Sequence, residues 1–284
     1  MEDQAQDQFE RILARVHSLD DLSADVVVEL RRISEGSLVL DKFKVPTAEY
    51  WNWLDKVGDD IRGVEYDAQN ARIALKGGPG WMHEAASQLI NSRLLRELED
   101  RLSAATGSRY FLTGSTCCSL AGDFDGSTKQ ADASLMEYGA EWPAVILEVG
   151  ISETTNKLYK DAERWLEGSL GQTKLVILVD VEETDKQHTL NDKWELSAAD
   201  FQQMRHRALS RDILQWYHTK AISLVGTFKL SVHLWYSDGD RQCILNKAVF
   251  SPGNLIDLTT INDVPLRLEH LMPAGSDLDM SQHF

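Results

Sequence analysis

Two apolar runs on either side of one amphipathic helix constrain this chain more than any other feature. Residues 142–149 and 174–181 are almost free of polar side chains. Strands that read this way are buried on both faces, as in the parallel sheets of α/β proteins. Between them Leu158, Ala162, Trp165 and Leu166 form one helical stripe. Ser152 stands as its N-cap with Glu153 beside it, and Gly168 and Gly171 bracket its end. Strand, helix, strand with a crossover of this length predicts a right-handed βαβ unit.

Upstream, residues 83–105 carry Ala86, Leu89, Ile90, Leu94, Leu98 and Leu102 at helical spacing. The period then changes to that of strands over 109–121 and 130–138, so the order reads helix, three strands, helix, strand. Residues 64–66 and 72–76 predict a hairpin with 67–70 as its turn. Gly77-Gly78-Pro79-Gly80 reads as a plain turn, since a phosphate-binding loop would continue into Gly-Lys-Ser/Thr and this one meets Trp81-Met82-His83. Residues 1–41 predict two helices, the second capped by Ser23, and their acidity suggests an added arm. Tyr50, Trp51 and Trp53 read as a hydrophobic anchor, and Cys117-Cys118 as a buried strand pair. Beyond 182 a helix from 197 and strands at 226–236, 242–250 and 255–259 are expected, with a hairpin turn at 237–240.

Lys and Arg total 29 against 45 Asp and Glu, a net charge of −16. Bulk electrostatic coating of nucleic acid is thereby excluded, although a local cationic site is not. No apolar run reaches the roughly 20 residues of a membrane-spanning helix, so no membrane partner is expected. The acidic first ten residues do not match a secretory signal, and three cysteines make no disulfide framework. The expectation is an intracellular protein of cytoplasm or nucleus, not a secreted one.

Three acids stand out by position. Glu148 ends an apolar strand, Asp132 falls within the strand before it, and Glu84 opens the first long helix next to His83. An acid in an apolar strand is costly to bury unless it is paired or binds a cation. Two acids on neighbouring strands suit a hard divalent ion, which takes one or two carboxylates and leaves its other positions to water and phosphate.

At these residues the chain resembles the PD-(D/E)XK, or restriction-endonuclease-like, superfamily. Glu148-Val149-Gly150-Ile151-Ser152, followed by Lys157-Leu158, Asp161-Ala162 and Trp165-Leu166, is similar to fungal members with a Glu-Val-Gly-x-Ser signature. The stretch from Pro46 through Tyr66 to His83 is similar to bacterial relatives in which a histidine opens the first long helix. The resemblance implies an α/β restriction-endonuclease-like core at 45–181, a central mixed sheet flanked by helices. It leaves an N-terminal helical arm at 1–44 and a C-terminal helix and β-rich extension at 182–284.

The resemblance further implies Mg²⁺ (or Mn²⁺) held by Asp132 and Glu148, with Glu84, His83 and the Val149 carbonyl as further ligands, and hydrolysis of a phosphodiester. Two departures stand out: Ala131 replaces the motif proline, and Gly150 stands where the motif lysine would. Some relatives supply that lysine from the next helix. There Glu153, Lys157, Lys160 and Arg164 share one face; Lys157 is the first choice and Lys160 the second. Arg93, Arg96, Lys129, Lys160 and Arg164 are candidate contacts to nucleic acid, DNA in preference to RNA. The leading expectation is a metal-dependent nuclease. The alternatives are an inactive nuclease-fold interaction module and a fold recruited to small-molecule chemistry; a homodimer or protein partner stays open.

Overall fold

A computed structural model describes residues 2–34, 36–58, 61–78, 81–98, 110–151, 154–184 and 227–250, together with Gln215, Asn262, Leu266, Arg267 and Leu271. In chain order its first elements are α1 (Glu2–Leu13), α2 (Ala24–Ile33), β1 (Leu38–Leu40), α3 (Thr47–Val57), β2 (Val64–Asp67), β3 (Arg72–Leu75) and α4 (Trp81–Leu98). Strands β4 (Tyr110–Leu112), β5 (Cys117–Ser119), β6 (Thr128–Gln130), β7 (Ala133–Glu137) and β8 (Pro143–Ile151) follow. Helix α5 (Thr155–Gly168) then leads to β9 (Leu175–Thr184), β10 (Thr227–Tyr236) and β11 (Arg241–Phe250). The described residues form a mixed α/β protein of five α-helices and two sheets, ordered β1-β3-β2-β6-β5 and β11-β10-β9-β8-β7-β4.

The two apolar runs are central in the larger sheet and pair in parallel, Glu148 opposite Leu178 and Gly150 opposite Asp180. Their alternation sorts the side chains between two cores. Val145, Leu147 and Val149 join Leu94 of α4 in one apolar cluster, while Ile146, Val176 and Leu178 join Leu158, Ala162 and Trp165 of α5 in another. Helices α4 and α5 therefore cover opposite faces. Helix α5 begins at Thr155 with Thr154 as its N-cap, and the cap expected at Ser152 lies outside the described residues.

Two expected strands each divide in two. The stretch 109–121 gives β4 to the larger sheet and β5 to the smaller, with Gly114 at φ +60° in the turn between them. Likewise 130–138 gives β6 to the smaller sheet and β7 to the larger. The chain changes sheets at Ala131-Asp132, which sets Asp132 at the seam. Strand β5 alternates normally, so Cys118 is buried and Cys117 exposed; the pair is not buried as a unit.

The smaller sheet is antiparallel throughout, and β2 and β3 form the expected hairpin. Tyr50 and Trp53 sit in its core as anchors, Tyr50 stacked on Tyr66 with ring centroids 4.3 Å apart. Ser23 caps α2 by accepting from the Val26 N–H. Residues 1–44 were expected to form an arm, yet Val16, Leu22, Val27 and Leu30 belong to this same core, and the Trp53 indole donates to the Leu22 carbonyl at 2.9 Å. The C-terminal hairpin turns at Gly239 (φ +91°) and extends the larger sheet, with β10 pairing antiparallel to β9. The helix expected from 197 and the strand at 255–259 lie outside the described residues.

Candidate functional site

The seam between the sheets brings two carboxylates to one point. Asp132 lies between β6 and β7 and Glu148 on β8, facing α5. The Lys76 ammonium lies 2.7 Å from Asp132 Oδ1 and 3.2 Å from Glu148 Oε2, and it also donates to the Gln130 carbonyl at 3.0 Å. Lys76 immediately follows β3. Its N–H donates to the Gly63 carbonyl, and its carbonyl accepts from Arg31 Nε of α2 at 2.7 Å. Gly78 N–H donates in turn to the Arg31 carbonyl. Gly77 is required here, because a Cβ would stand 2.8 Å from the carbonyl oxygens of both Ser34 and Gly36. The N-terminal helices thus hold the strand end that carries the lysine.

The remaining oxygens are also engaged. Asp132 Oδ2 accepts from the Val149 N–H at 2.8 Å and lies 3.1 Å from His83 Nε2. Glu148 Oε1 accepts from the Trp165 indole at 2.6 Å and lies 3.2 Å from Lys129 Nζ. Lys129, expected to reach a nucleic-acid backbone, is instead fully buried on β6. It bridges Glu65 at 3.4 Å, Glu148 and Asp161 at 3.0 Å. Three carboxylates offset the desolvation of that ammonium, which is why it stays inside.

The titration directions follow from this packing. Burial pushes the Asp132 carboxyl up, but the Lys76 ammonium and His83 outweigh it and hold Asp132 well below the usual carboxylate range. Burial dominates at Glu148 and, with Asp132 and Asp161 nearby, raises it despite Lys129 and Lys76. Burial would lower Lys76, yet Asp132, Glu148 and Glu65 raise it well above the ordinary lysine value. Lys129 is raised in the same way, by Asp161, Glu148 and Glu65. Neither lysine is therefore a neutral base near pH 7. Both are fixed positive charges. His83 is raised as well, its Asp132 contact prevailing over burial.

The other expected site residues are placed variously. Lys157 lies 3.3 Å from Asp161, one turn along α5, and its nearest described acid is not Asp132 or Glu148. Gly150 faces the same helix, where a Cβ would come 2.8 Å from Leu158 Cδ1, so the motif lysine position is filled by a packed leucine. Glu84 is exposed on the wall of a cleft that opens at Asp132. Val149 meets Asp132 through its N–H. Arg93 and Arg96 are exposed on α4, and Lys160 is exposed on α5, across the sheet from them. Arg164 Cζ lies over the Phe124 ring at 5.9 Å. These four cations are not brought together.

Lys76 was not singled out by sequence reasoning, and Asp161 was part of the resemblance but given no place in the site. Asp161 carried a readable signal, an acid inside the buried stripe Leu158, Ala162, Trp165. Lys76 carried little, since its partners are 56 and 72 residues away.

Among the described residues no three His, Cys, Asp or Glu side chains cluster as ligands for a metal ion. Mg²⁺ does not demand three, because one or two carboxylates with water suffice. Asp132 Oδ1 and Glu148 Oε2 supply such a pair, converging on a point that already selects a cation. In donor type the residues fit the ion. Its place would be shared with, or taken from, the Lys76 ammonium. No protein-family model matches the chain, and a search of curated proteins finds no matching relative.

Proposed function

We propose that the chain is a metal-dependent phosphodiester hydrolase built on a restriction-endonuclease-like core, acting on nucleic acid, DNA in preference to RNA. The observation that carries this reading is the convergence of Asp132 Oδ1 and Glu148 Oε2 on the Lys76 ammonium. Two acids and a lysine are the side chains that a PD-(D/E)XK site requires, and here a lysine from the smaller sheet takes the part that Gly150 cannot. The element order supports the core: α4, then the antiparallel β4, β7 and β8, then α5 and the parallel β9.

Asp132 and Glu148 would hold Mg²⁺ (or Mn²⁺), with His83, Glu84 and Val149 around it. When bound there, the ion supplies Lewis acidity and lowers the pKa of a bound water. The chain's own residues do the rest. Lys76, held protonated, stabilises negative charge developing on a phosphoryl oxygen. The Val149 N–H and His83 fix the Asp132 carboxylate, while the Trp165 indole and Lys129 fix Glu148, so neither acid needs to reorganise during reaction.

A second reading, an inactive nuclease-fold interaction module, is favoured by one observation. Every oxygen of the acid pair already accepts from, or pairs with, a protein donor. Calorimetric titration of Mg²⁺ and Mn²⁺, beside a cleavage screen on DNA and RNA, separates the two. The hydrolase reading requires that metal binding and cleavage both vanish in Asp132→Ala and Glu148→Ala. No divalent binding by the wild type would leave the interaction module.

A further inference from the structure

The cleft that opens at Asp132 has a volume of about 250 Å³, and its described lining includes Arg62, Ser87, Gln88, Asn91, Leu112 and Asp132. Its chemistry is specific. Gln88 and Asn91 carry amides, each both donor and acceptor, although one Asn91 N–H is directed to the Ser134 carbonyl at 3.4 Å, and Ser87 carries a hydroxyl. The Ser87 side chain is buried at 3% exposure, and its Oγ has no hydrogen-bond partner among the described residues. A buried hydroxyl left unpaired in the free protein costs stability, and a rotation about χ1 that turns the Ser87 Oγ to the cleft lets a ligand complete it. Leu112 adds an apolar wall. Arg62 is the one cation of the described lining, set against the carboxylates of Asp132 and Glu84.

A surface that tracks a nucleic-acid backbone needs a row of cations, and this lining has one in a protein of net charge −16. Neutral donors and acceptors beside an apolar wall instead match the edge and face of a single nucleobase, a group that a paired duplex keeps out of reach. The available volume suits one nucleotide and not a stack of paired ones. Resting on the hydrolase reading above, we infer that this cleft takes one unpaired nucleotide. The base is read by Ser87, Gln88 and Asn91, and its phosphodiester lies towards Asp132 and Lys76. The substrate class is then single-stranded or frayed nucleic acid, and continuous duplex is excluded.

Fluorescence anisotropy with a labelled single-stranded hexanucleotide and a blunt hairpin duplex tests the inference on the full chain, in EDTA and again in Ca²⁺. The single strand is expected to bind at least tenfold more tightly than the hairpin, with a log–log salt slope near −1, that of about one or two phosphates. Ser87→Ala should weaken single-strand binding by roughly two- to tenfold, the worth of one hydrogen bond. The same variant should not lower the urea midpoint and should raise it slightly, because it loses no hydrogen bond and removes an unpaired buried hydroxyl. Equal affinity for the hairpin, a salt slope of several units, unaltered binding by Ser87→Ala, or no binding in either buffer would each overturn the inference. The two readings fail separately. Metal-dependent cleavage of intact duplex would sink this cleft assignment and keep the hydrolase. Ser87-dependent nucleotide binding with no cleavage in Mg²⁺ would do the reverse.

Discussion

Replacing Lys129 by methionine tests the buried charge network more sharply than any change at the cleft. The ammonium is fully buried and lies 3.0 to 3.4 Å from carboxylate oxygens of Glu65, Glu148 and Asp161. Methionine keeps the unbranched shape and removes only the charge and its donors. Glu148 would then retain the Trp165 indole and Lys76, Asp161 would retain Lys157, and Glu65 would keep the Gln130 N–H at 3.2 Å. Removing one partner of a buried ion network costs about 3–5 kcal/mol, because the remaining charges stay desolvated. For a protein whose whole stability is about 5–15 kcal/mol, that is a large share.

The pH dependence gives the loss a signature. Without Lys129, the folded-state pKa values of Glu148 and Asp161 rise, since the charge that lowered both is gone. A carboxyl whose folded pKa exceeds its unfolded value binds more protons when folded, so stability rises as pH falls. Lys129→Met should therefore lose most at pH 7 and regain part of that loss near pH 5, and adding Glu148→Gln should restore more. Urea unfolding followed by circular dichroism at both pH values reads this directly. At an m-value of about 3 kcal/mol/M, the midpoint at pH 7 should drop by about 1–1.7 M. An unchanged midpoint, or an equal loss at the two pH values, would refute the view that Lys129 is the charge holding this cluster together.

Three further outcomes follow from the same geometry. Lys157→Ala breaks a partly exposed i,i+4 pair, so it should cost under about 0.5 kcal/mol and spare cleavage, whereas Lys76→Met should lower the cleavage rate by about 10²–10³-fold; steady-state assays of both variants decide which lysine serves the site. Gly150→Lys places a Cβ against the packed Leu158, so thermal unfolding should show about 1–3 kcal/mol of destabilisation and the variant should not rescue Lys76→Met. Burial raises Asp161, but Lys129 and Lys157 prevail and hold it at about 2; its stabilising contribution is fully present above the unfolded value of 3.8 and is lost as pH falls towards 2, and Asp161→Asn should flatten the acid limb of an unfolding titration.

The parts of this molecule legible in the sequence are those set by local period. The runs at 142–149 and 174–181, the stripe Leu158–Ala162–Trp165 and the hairpin 64–76 each declare themselves within a dozen residues, because burial of one or both faces dictates their spacing. Asp132 and Glu148 were legible for a related reason, acids standing where the pattern calls for apolar side chains. The seam was not. Whether 109–121 and 130–138 stay in one sheet or cross to another depends on long-range pairing: the backbone register of β6 with β2 is the single pair Tyr66–Thr128, and no local period records that choice.

The lysine follows the seam. A spacing rule looks for the third member of the site near Glu148 in sequence, which leads to Gly150 and then to Lys157 on the next helix. In the folded chain the cation that touches both acids comes instead from the end of β3, held there by the Arg31 contact to the Lys76 carbonyl and by the crowding that makes position 77 a glycine. An acid betrays burial through its own neighbours, but a lysine with a long apolar stem sits comfortably at a strand end whether it is solvated or buried. Its role is fixed by what the other sheet brings to it. That is why the N-terminal helices matter to the chemistry: they pack on the sheet that delivers the charge, so loosening α2 should disturb the Asp132–Glu148 pair without touching either acid.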